Sequence, residues 1–249
     1  MSVIVYADFS SPDGYLASRR ADILAAAGVA VDWRAVECAP GLPVAGRRLS
    51  TPDQDAVAER FRALDSLLVP GERLPWTMPQ LTPKTEAAVS ACAEAYGTTA
   101  YHDVRRLLYE LYWRDGADIG SPTVVRAGLA GPILRAGADA EPLRRSGYAV
   151  SVDRGPITAG GYARIRAWRG EWLALGGPAL AVVLADGTTL SGDDALQRLA
   201  KEIAYVDADV DPQLGDPRRY PHVEGRPPAS WVSQIGGRWR NIYRLDSAR

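Results

Sequence analysis

The sequence predicts an α/β protein in which a block of helices separates the two halves of a β-sheet domain. Three observations support this prediction: a β–α–β pattern opens the chain, helical periodicity dominates residues 51–149, and a helix, two short β-rich runs and a last helix occupy residues 150–205. A chain of 249 residues is long enough for one large domain or for one domain that carries an insertion.

The opening segment, residues 1–50, begins with the β-rich run Ser2–Ala7. Pro12 then falls where the first turn of a helix accepts proline, and the predicted helix ends at Gly28. Residues 29–36 alternate apolar and polar side chains with the period of a strand. Two strands joined in this way are expected to be parallel and connected by a right-handed crossover.

The middle segment has the spacing of amphipathic helices. Apolar residues recur at helical spacing in segments 53–68 and 101–116, and segment 81–97 has a helix start at Thr82-Pro83 and a stop at Gly97. A shorter fourth helix is expected to begin at Ser121, which is followed by Pro122 in the first turn. We therefore expect an all-helical insertion.

The third segment returns to a mixed pattern. A helix is expected over residues 161–177 and a strand over residues 180–185. Asp186 and Gly187 then separate two strand-like runs, which is a strong hairpin signal. A final helix follows the second run.

Charge and hydropathy exclude several classes of protein. The chain has 29 basic and 30 acidic residues and a net charge of -1, so it lacks the basic surface expected of a nucleic-acid binder. It shows no signal-peptide pattern and no apolar stretch of the ~18 residues that a membrane span requires. We expect a cytoplasmic protein with a small-molecule substrate, no nucleic-acid partner and no membrane contact.

The chain contains two cysteines, Cys38 and Cys92. Two cysteines on separate elements are too few for a disulfide framework, and a reducing compartment favours free thiols. We expect both to be small, buried side chains.

Residues 206–249 form a C-terminal extension that has no clear period but contains five prolines and two tryptophans. Pro-rich extended segments lie along surfaces and do not add central strands. Burial of an indole contributes several kcal/mol at ~25 cal/mol per Å². We expect the extension to pack over the core or over a second copy in a homodimer, with Trp231 and Trp239 as anchors.

The segment DFSSPDGYLA, residues 8–17, carries the most specific motif. It resembles the D-F-x-C-P-W-C-Y-L segment of DsbA-type oxidoreductases. It is more similar to the S-P-x-S/A-Y/W-L segment of their non-redox relatives, the 2-hydroxychromene-2-carboxylate isomerases and the kappa-class glutathione transferases. Three later stretches also resemble family motifs in the family's order: TPKTEAAVSACAEAYG, with Lys84 where the family has Asn, then LYWRDGADIGSPTVV, then the segment from EWLALGGPALAVVLADG onward.

This resemblance implies a thioredoxin-like fold with a helical insertion. The thioredoxin-like domain would comprise residues 1–50 and 150–205, the insertion residues 51–149, and the extension residues 206–249. The resemblance also implies that Pro178, preceded by Gly177, is the cis-proline that faces the active-site turn.

Ser11 and Gly14 occupy the positions of the two redox cysteines of the family motif. Dithiol–disulfide exchange needs an attacking thiolate and a second thiol to resolve the mixed disulfide. We therefore expect no disulfide oxidoreductase activity at this segment.

Two residues of the motif are candidate catalytic groups. In the non-redox relatives the serine at the position of Ser11 holds the sulfur of glutathione as a thiolate, so the resemblance implies glutathione or another small thiol as a cofactor. The alternative for Ser11 is a plain helix N-cap. Asp13 is a candidate general acid or base, although it could also only stabilise the helix dipole, and a nearby carboxylate would raise the pKa of a bound thiol.

Nine further residues are candidates for contact with a substrate or thiol, because they belong to the motif or could form an aromatic pocket wall. Gly14 is included because it leaves space where the family has a side chain, while Arg34 corresponds loosely to an arginine of the isomerases. The aromatic candidates could equally be core residues. The full set is Ser10, Pro12, Gly14, Tyr15, Arg34, Trp76, Tyr112, Gly177 and Pro178.

The expected activity is that of an isomerase or a transferase that acts on a small aromatic or conjugated carbonyl compound in catabolism or secondary metabolism. Two alternatives stay open: an acid/base isomerase or cyclase that uses no thiol, and a catalytically inactive binding or scaffold protein. With only two histidines, His102 and His222, no two-histidine metal motif is present, and no glycine-rich nucleotide motif follows a strand. We expect neither a metal nor a nucleotide cofactor.

Overall fold

The computed structural model describes residues 2–205. The C-terminal extension, with the expected anchors Trp231 and Trp239, lies outside the described residues. The strands are β1 Ser2–Ala7, β2 Ala30–Ala35, β3 Arg47–Arg48, β4 Leu81–Thr82, β5 Leu180–Leu184 and β6 Thr189–Ser191. The helices are α1 Pro12–Ala26, α2 Thr51–Asp65, α3 Glu86–Ala95, α4 Tyr101–Trp113, α5 Pro122–Arg135, α6 Glu141–Arg145, α7 Ala159–Ala174 and α8 Gly192–Tyr205, with a 3₁₀ turn at Ala138–Ala140.

Four strands form a mixed sheet in the order β2-β1-β5-β6. β1 and β2 are parallel, with Val5 opposite Trp33. β5 is antiparallel to β1, with Leu180 opposite Ala7, and the β5–β6 hairpin completes the sheet. This arrangement confirms the predicted α/β class and the thioredoxin-like order of elements.

The alternation of side chains along β1 gives the sheet two different faces. Val5 and Ala7 lie in the main core with Trp33, together with buried residues of α1, α8 and the helical block. Tyr6 points to the opposite face, where it packs with Trp172 of α7. The helix that follows β1 and the helix that precedes β5 therefore cover opposite faces of the sheet.

The block between β2 and α7 is mostly helical, as predicted, but it also contains β3 and β4. These two strands of two residues each pair in a short antiparallel ladder. The fourth helix, α5, is longer than the sequence indicates and runs through Pro132 to Arg135. Within residues 2–205, no helix is both long and apolar enough to cross a bilayer.

The interface between α1 and α4 buries several charged groups. Glu110 of α4 is 2% exposed, and its carboxylate lies 3.7 Å from the Arg114 guanidinium. Burial raises the pKa of Glu110 to about 7, although nearby arginines oppose the shift. The carboxyl group therefore takes up a proton in the folded protein well above its ordinary pKa of 4.5.

Replacement of Glu110 by glutamine is expected to remove a pH-dependent loss of stability. Because the folded-state pKa is higher than the unfolded one, the folded protein holds the proton that the unfolded chain releases between about pH 4.5 and pH 7. The free energy of unfolding of the wild-type chain, relative to that of the Glu110→Gln variant, therefore falls as the pH rises from about 4.5 to about 7. Thermal unfolding at pH 5 and pH 8 checks this: Glu110→Gln should have the higher Tm at pH 8 and little advantage at pH 5, whereas equal differences at both pH values would contradict the prediction.

Candidate functional site

The turn that joins β1 to α1 is organised by the buried carboxylate of Asp8. Its Oδ1 accepts hydrogen bonds from the backbone N–H and the hydroxyl of Ser10, both at 2.8 Å. Its Oδ2 accepts from the backbone N–H of Cys38 at 2.6 Å and from the Thr85 hydroxyl at 3.2 Å. Burial raises the pKa of Asp8, and these four hydrogen bonds oppose the rise. One side chain thus joins the ends of β1 and β2 to the start of α3.

Two aromatic residues of α4 hold the backbone of the same turn. The Tyr109 hydroxyl donates to the carbonyl oxygen of Asp8 at 3.1 Å, and the Trp113 indole N–H donates to the carbonyl oxygen of Phe9 at 3.1 Å. Both side chains are buried. Buried backbone carbonyls need such partners, so the helical block fixes the position of the turn.

Ser11 is the N-cap of α1, as one of the two sequence interpretations expected. Its Oγ accepts a hydrogen bond from the backbone N–H of Gly14 at 3.3 Å, and Pro12 occupies the first turn. That bond does not use the proton of the hydroxyl, which remains able to donate. Ser11 is 6% exposed, so a ligand would reach it only at a small opening.

Gly14 does not provide the open space that the sequence suggested. A Cβ at this position would lie 2.5 Å from the Tyr109 hydroxyl oxygen and 2.9 Å from the Asp8 carbonyl oxygen. The volume expected for a substrate is therefore filled by Tyr109, whose hydroxyl has to come this close in order to bond to Asp8. The role of Gly14 is to allow close packing of α1 on α4.

Asp13 is held in a network of ion pairs. Its carboxylate accepts from Arg60 of α2, with the Nε donor at 2.8 Å, and Arg60 also bonds to Asp193 at the start of α8. Burial raises the pKa of Asp13, and the charge of Asp193 raises it further. The hydrogen bond and the charge of Arg60 lower it, but the pKa stays above the ordinary value of aspartate. Arg60 thus offsets part of the negative charge at the start of α1.

Cys38 is exposed, whereas Cys92 is buried and both are free thiols. The expectation of a buried Cys38 is therefore wrong, because β2 ends before it and the chain leaves the core at this point. Neighbouring protein atoms still shield the thiol partly from water, and this desolvation and the charge of Asp8 raise the pKa of Cys38. A raised pKa keeps the thiol protonated, which is the opposite of what a redox cysteine requires.

The candidate aromatic residues pack mainly against the protein itself. The Tyr15 hydroxyl donates to the Pro75 carbonyl at 2.9 Å, and burial raises the pKa of Tyr15 to about 12. The Tyr112 hydroxyl donates to the Leu81 carbonyl at 3.0 Å. Trp76 stacks on Phe61 with ring centroids 4.1 Å apart. Of these three side chains, only Trp76 is partly exposed.

Arg34 lies on the opposite face of the sheet from α1. Its guanidinium pairs with Asp32 and with Glu171 of α7, and it donates to the Tyr6 hydroxyl at 2.8 Å. The structure therefore does not bring Arg34 to the Ser11 turn. Successive side chains of a strand point to opposite faces of the sheet. Arg34 therefore lies on the same face as Tyr6, its partner on β1, and Ala35 lies on the other face.

Gly177 and Pro178 lie immediately before β5, whose first residue is opposite the end of β1. This places Pro178 at the same edge of the sheet as the Ser11 turn. The peptide bond between them is trans, since the described residues contain no cis bond, so the expected cis-proline is not present. Gly177 makes the turn with a φ of +65°, and the Trp172 indole N–H donates to the Pro178 carbonyl at 2.8 Å, which fixes the entry into β5.

Sequence reasoning assigned no role to three residues that build this site, Asp8, Arg60 and Lys84, and it considered Tyr109 only as an aromatic residue that could line a pocket or belong to the core. Lys84 donates to the Pro40 carbonyl at 2.6 Å and lies 3.9 Å from the carboxylates of Glu37 and Glu86. The sequence gives one signal, since Lys84 replaces the asparagine of the family motif. The contacts of Asp8 with Cys38 and Thr85, and those of Arg60 and Tyr109, join residues far apart in the chain, so no local pattern indicates them.

Two cavities, of about 530 and 190 Å³, are formed by the described residues. Both are lined by residues away from the Ser11 turn. The first lies beside the start of β2, and the second between the end of α3 and the start of α7.

Comparison with known proteins agrees with this architecture. No curated protein sequence matches the chain. A probable DsbA oxidoreductase from Streptomyces coelicolor has a similar structure, with a TM-score of 0.59 and 18% identity over 83% of this chain and 89% of that one. A 2-hydroxychromene-2-carboxylate isomerase is similar with a TM-score of 0.54 and 17% identity, over 82% of this chain and 95% of the isomerase. The cytosolic disulfide reductase DsbM from Pseudomonas aeruginosa, solved with GSH, gives a TM-score of 0.53 and 11% identity, over 82% and 96%.

The family itself is shown by the sequence. Residues 2–147 match the DSBA-like thioredoxin domain, which is more than half of the chain. The match includes β1, the Ser11 turn, α1 and the helical block. The chain belongs to the DsbA-like thioredoxin domain family.

Proposed function

We propose that this chain is a non-redox member of its family, an isomerase or transferase that binds a small thiol or a substrate oxyanion at the start of α1. The proposal rests on one observation: Ser11 and Gly14 replace the two redox cysteines of the family motif. The turn that carries them is nevertheless held by hydrogen bonds with Asp8, Tyr109 and Trp113. Ser11 supplies a hydroxyl where the attacking sulfur would stand, and Gly14 cannot accept a side chain beside Tyr109.

The start of α1 suits an anion for physical reasons. The positive end of the helix dipole favours negative charge there; Pro12 has no N–H and the Gly14 N–H is bonded to Ser11, so the Ser11 hydroxyl is the donor available to a ligand. In this proposal Ser11 donates its hydroxyl proton in a hydrogen bond to a thiolate or an oxyanion. Asp13 would disfavour an anion, but its ion pair with Arg60 reduces that effect.

Asp13 is the proposed proton carrier. Its raised pKa favours partial protonation closer to neutral pH than for an ordinary aspartate. Pro178, at the same edge of the sheet, is the proposed opposite wall of the site. The substrate class, a small aromatic or conjugated carbonyl compound, is supported by the resemblance of the Ser11 segment to the isomerase motif.

Calorimetric titration of the full chain with glutathione tests the thiol site, with Ser50→Ala as a matched control for Ser11→Ala. Ser50 is also an N-cap serine followed by proline in the first turn, on α2, so both variants lose a cap worth ~1 kcal/mol. We expect Ser11→Ala to weaken glutathione binding at least tenfold and Ser50→Ala to leave it unchanged. Equal affinity in all three proteins would contradict a role for Ser11.

A second candidate function, a binding or scaffold protein without catalysis, is favoured by one observation. Ser11 is almost buried, and the cavity of about 530 Å³ lies at the other end of the sheet. A wild-type chain that binds neither glutathione nor conjugated carbonyl compounds in the same titration would support this candidate. Binding of carbonyl compounds without glutathione would instead support a thiol-independent isomerase or cyclase.

A further inference from the structure

The cavity of about 530 Å³ lies at the edge of the sheet where β1 and β2 begin. Its walls come from the first residues of these strands, the end of α1, and the connection between α3 and α4. The lining residues are Ser2, Ala25, Gly28, Val29, Ala30, Val31, Asp32, Tyr96, Gly97, Tyr101 and His102.

This cavity is separate from the Ser11 site. Ser2 begins β1 and Ser11 follows its end. A strand of six residues extends about 17–20 Å at ~3.3 Å per residue. A group bound at one end would therefore not contact the other.

The chemistry of the walls suits an aromatic group that carries a hydrogen-bond donor. Small and apolar side chains form most of the surface, while Asp32 supplies a carboxylate. Its Oδ1 accepts from the Tyr96 hydroxyl at 2.9 Å, and a carboxylate oxygen can accept a second hydrogen bond. The lining itself contains no lysine and no arginine, while Arg34 pairs with the other carboxylate oxygen of Asp32, Oδ2.

The C-terminal extension begins at the same end of the sheet. α8 starts beside the Ser11 turn, where Asp193 bonds to the Arg60 that also holds Asp13. α8 packs along α1, and its 14 residues extend about 21 Å at 1.5 Å per residue. α8 therefore ends near the level at which β1 and β2 begin.

The C-terminal extension is long enough to cross the sheet from the end of α8 to the cavity beside β2. β5, on which α8 packs, is separated from β2 only by β1, which corresponds to ~10 Å at the usual strand spacing. An extended chain spans up to about 3.3–3.6 Å per residue, so residues beyond 225 reach the cavity easily.

We propose that residues 226–249 bind this cavity of their own chain and insert the indole of Trp231 or Trp239, with its N–H donated to Asp32. The segment offers two indole N–H donors, and Oδ1 of Asp32 is an acceptor in the cavity wall, since the ion pair with Arg34 uses Oδ2. Burial of an indole removes about 150–250 Å² of surface from water, and its N–H needs an acceptor in such a site.

Photo-crosslinking in the full-length chain tests the proposal. A benzoylphenylalanine placed at His102, an exposed residue at the cavity mouth, should cross-link to residues 226–249 of the same chain. The same probe at Val152, which is 65% exposed and outside the lining, is the control and should give at least tenfold less of this product. Peptide mapping that shows no difference between the two positions would overturn the proposal.

Two further experiments show which tryptophan enters the cavity and whether the bound segment belongs to the same chain or to a second copy. Either Trp231→Ser or Trp239→Ser should reduce the cross-link yield at least tenfold, and an unchanged yield in both variants would overturn the proposal. Mixing ¹⁴N- and ¹⁵N-labelled chains separates products within one chain from products between two. Products formed only between chains would also overturn it, because the cavity would then be a contact between two copies.

Discussion

Replacement of Arg20 by methionine is expected to lower the free energy of unfolding by about 3–5 kcal/mol, the cost of leaving a buried charge without its partner. Arg20 of α1 is fully buried and pairs with Glu72 through Nε at 3.0 Å and through a terminal nitrogen at 2.8 Å. It also donates to the carbonyl oxygens of Leu67 and Leu196, each at 2.6 Å. The variant leaves the Glu72 carboxylate and both carbonyl oxygens without this donor.

Urea unfolding of three variants separates the charge effect from the loss of packing. The double variant Arg20→Met/Glu72→Met should recover much of the loss, because it leaves no unpaired charge. Arg47→Met is the matched control, since Arg47 makes an exposed 3.5 Å ion pair with Asp53 and such pairs contribute about 0–1 kcal/mol. If Arg20→Met proves no more costly than Arg47→Met, the pair has no structural role.

Replacement of Gly14 by alanine is expected to destabilise the fold by about 1–3 kcal/mol or more, the usual cost of overpacking. The added methyl would overlap with the Tyr109 hydroxyl and with the Asp8 carbonyl. Tyr109→Phe removes the first of these contacts, so it should reduce the additional cost of Gly14→Ala without eliminating it. A double-mutant cycle measured by urea unfolding gives that coupling.

Gly170 provides the control for this experiment. It also lies in a helix, but a Cβ there would have no atom within 4 Å. Gly170→Ala should therefore raise stability by about 0.5–1 kcal/mol, the usual gain from alanine within a helix. Gly14→Ala that is as stable as Gly170→Ala would show that Tyr109 does not fill the space beside Gly14.

The sequence predicts the elements that depend on local patterns. The β–α–β opening, the Asp186-Gly187 hairpin and the Ser11 cap all arise within a few residues of chain, so period and turn chemistry suffice. The family resemblance then places these elements in one fold. The cis form expected for Pro178 came from the resemblance alone, and the structure has the trans form.

The contacts that build the site could not be predicted in this way. Asp8 begins the motif segment, but the burial of Asp8 and of Arg20 could not be predicted from the sequence, since charged residues are usually exposed. Their partners are distant, as Thr85 lies 77 positions from Asp8 and Leu196 lies 176 positions from Arg20. The close approach of Tyr109 to Gly14 likewise follows from the packing of α4 on α1, and no local pattern encodes it.

The central claim is that this chain performs no dithiol–disulfide exchange, because the start of α1 carries no sulfur. Insulin reduction by dithiothreitol, with and without the full-length chain, tests it most directly, with an active thioredoxin as the positive control. We expect the rate with this chain to equal the rate with dithiothreitol alone, because Ser11 and Gly14 carry no sulfur and the raised pKa of Cys38 disfavours its thiolate. Catalysed reduction that disappears in Cys38→Ser or Cys92→Ser would contradict the claim.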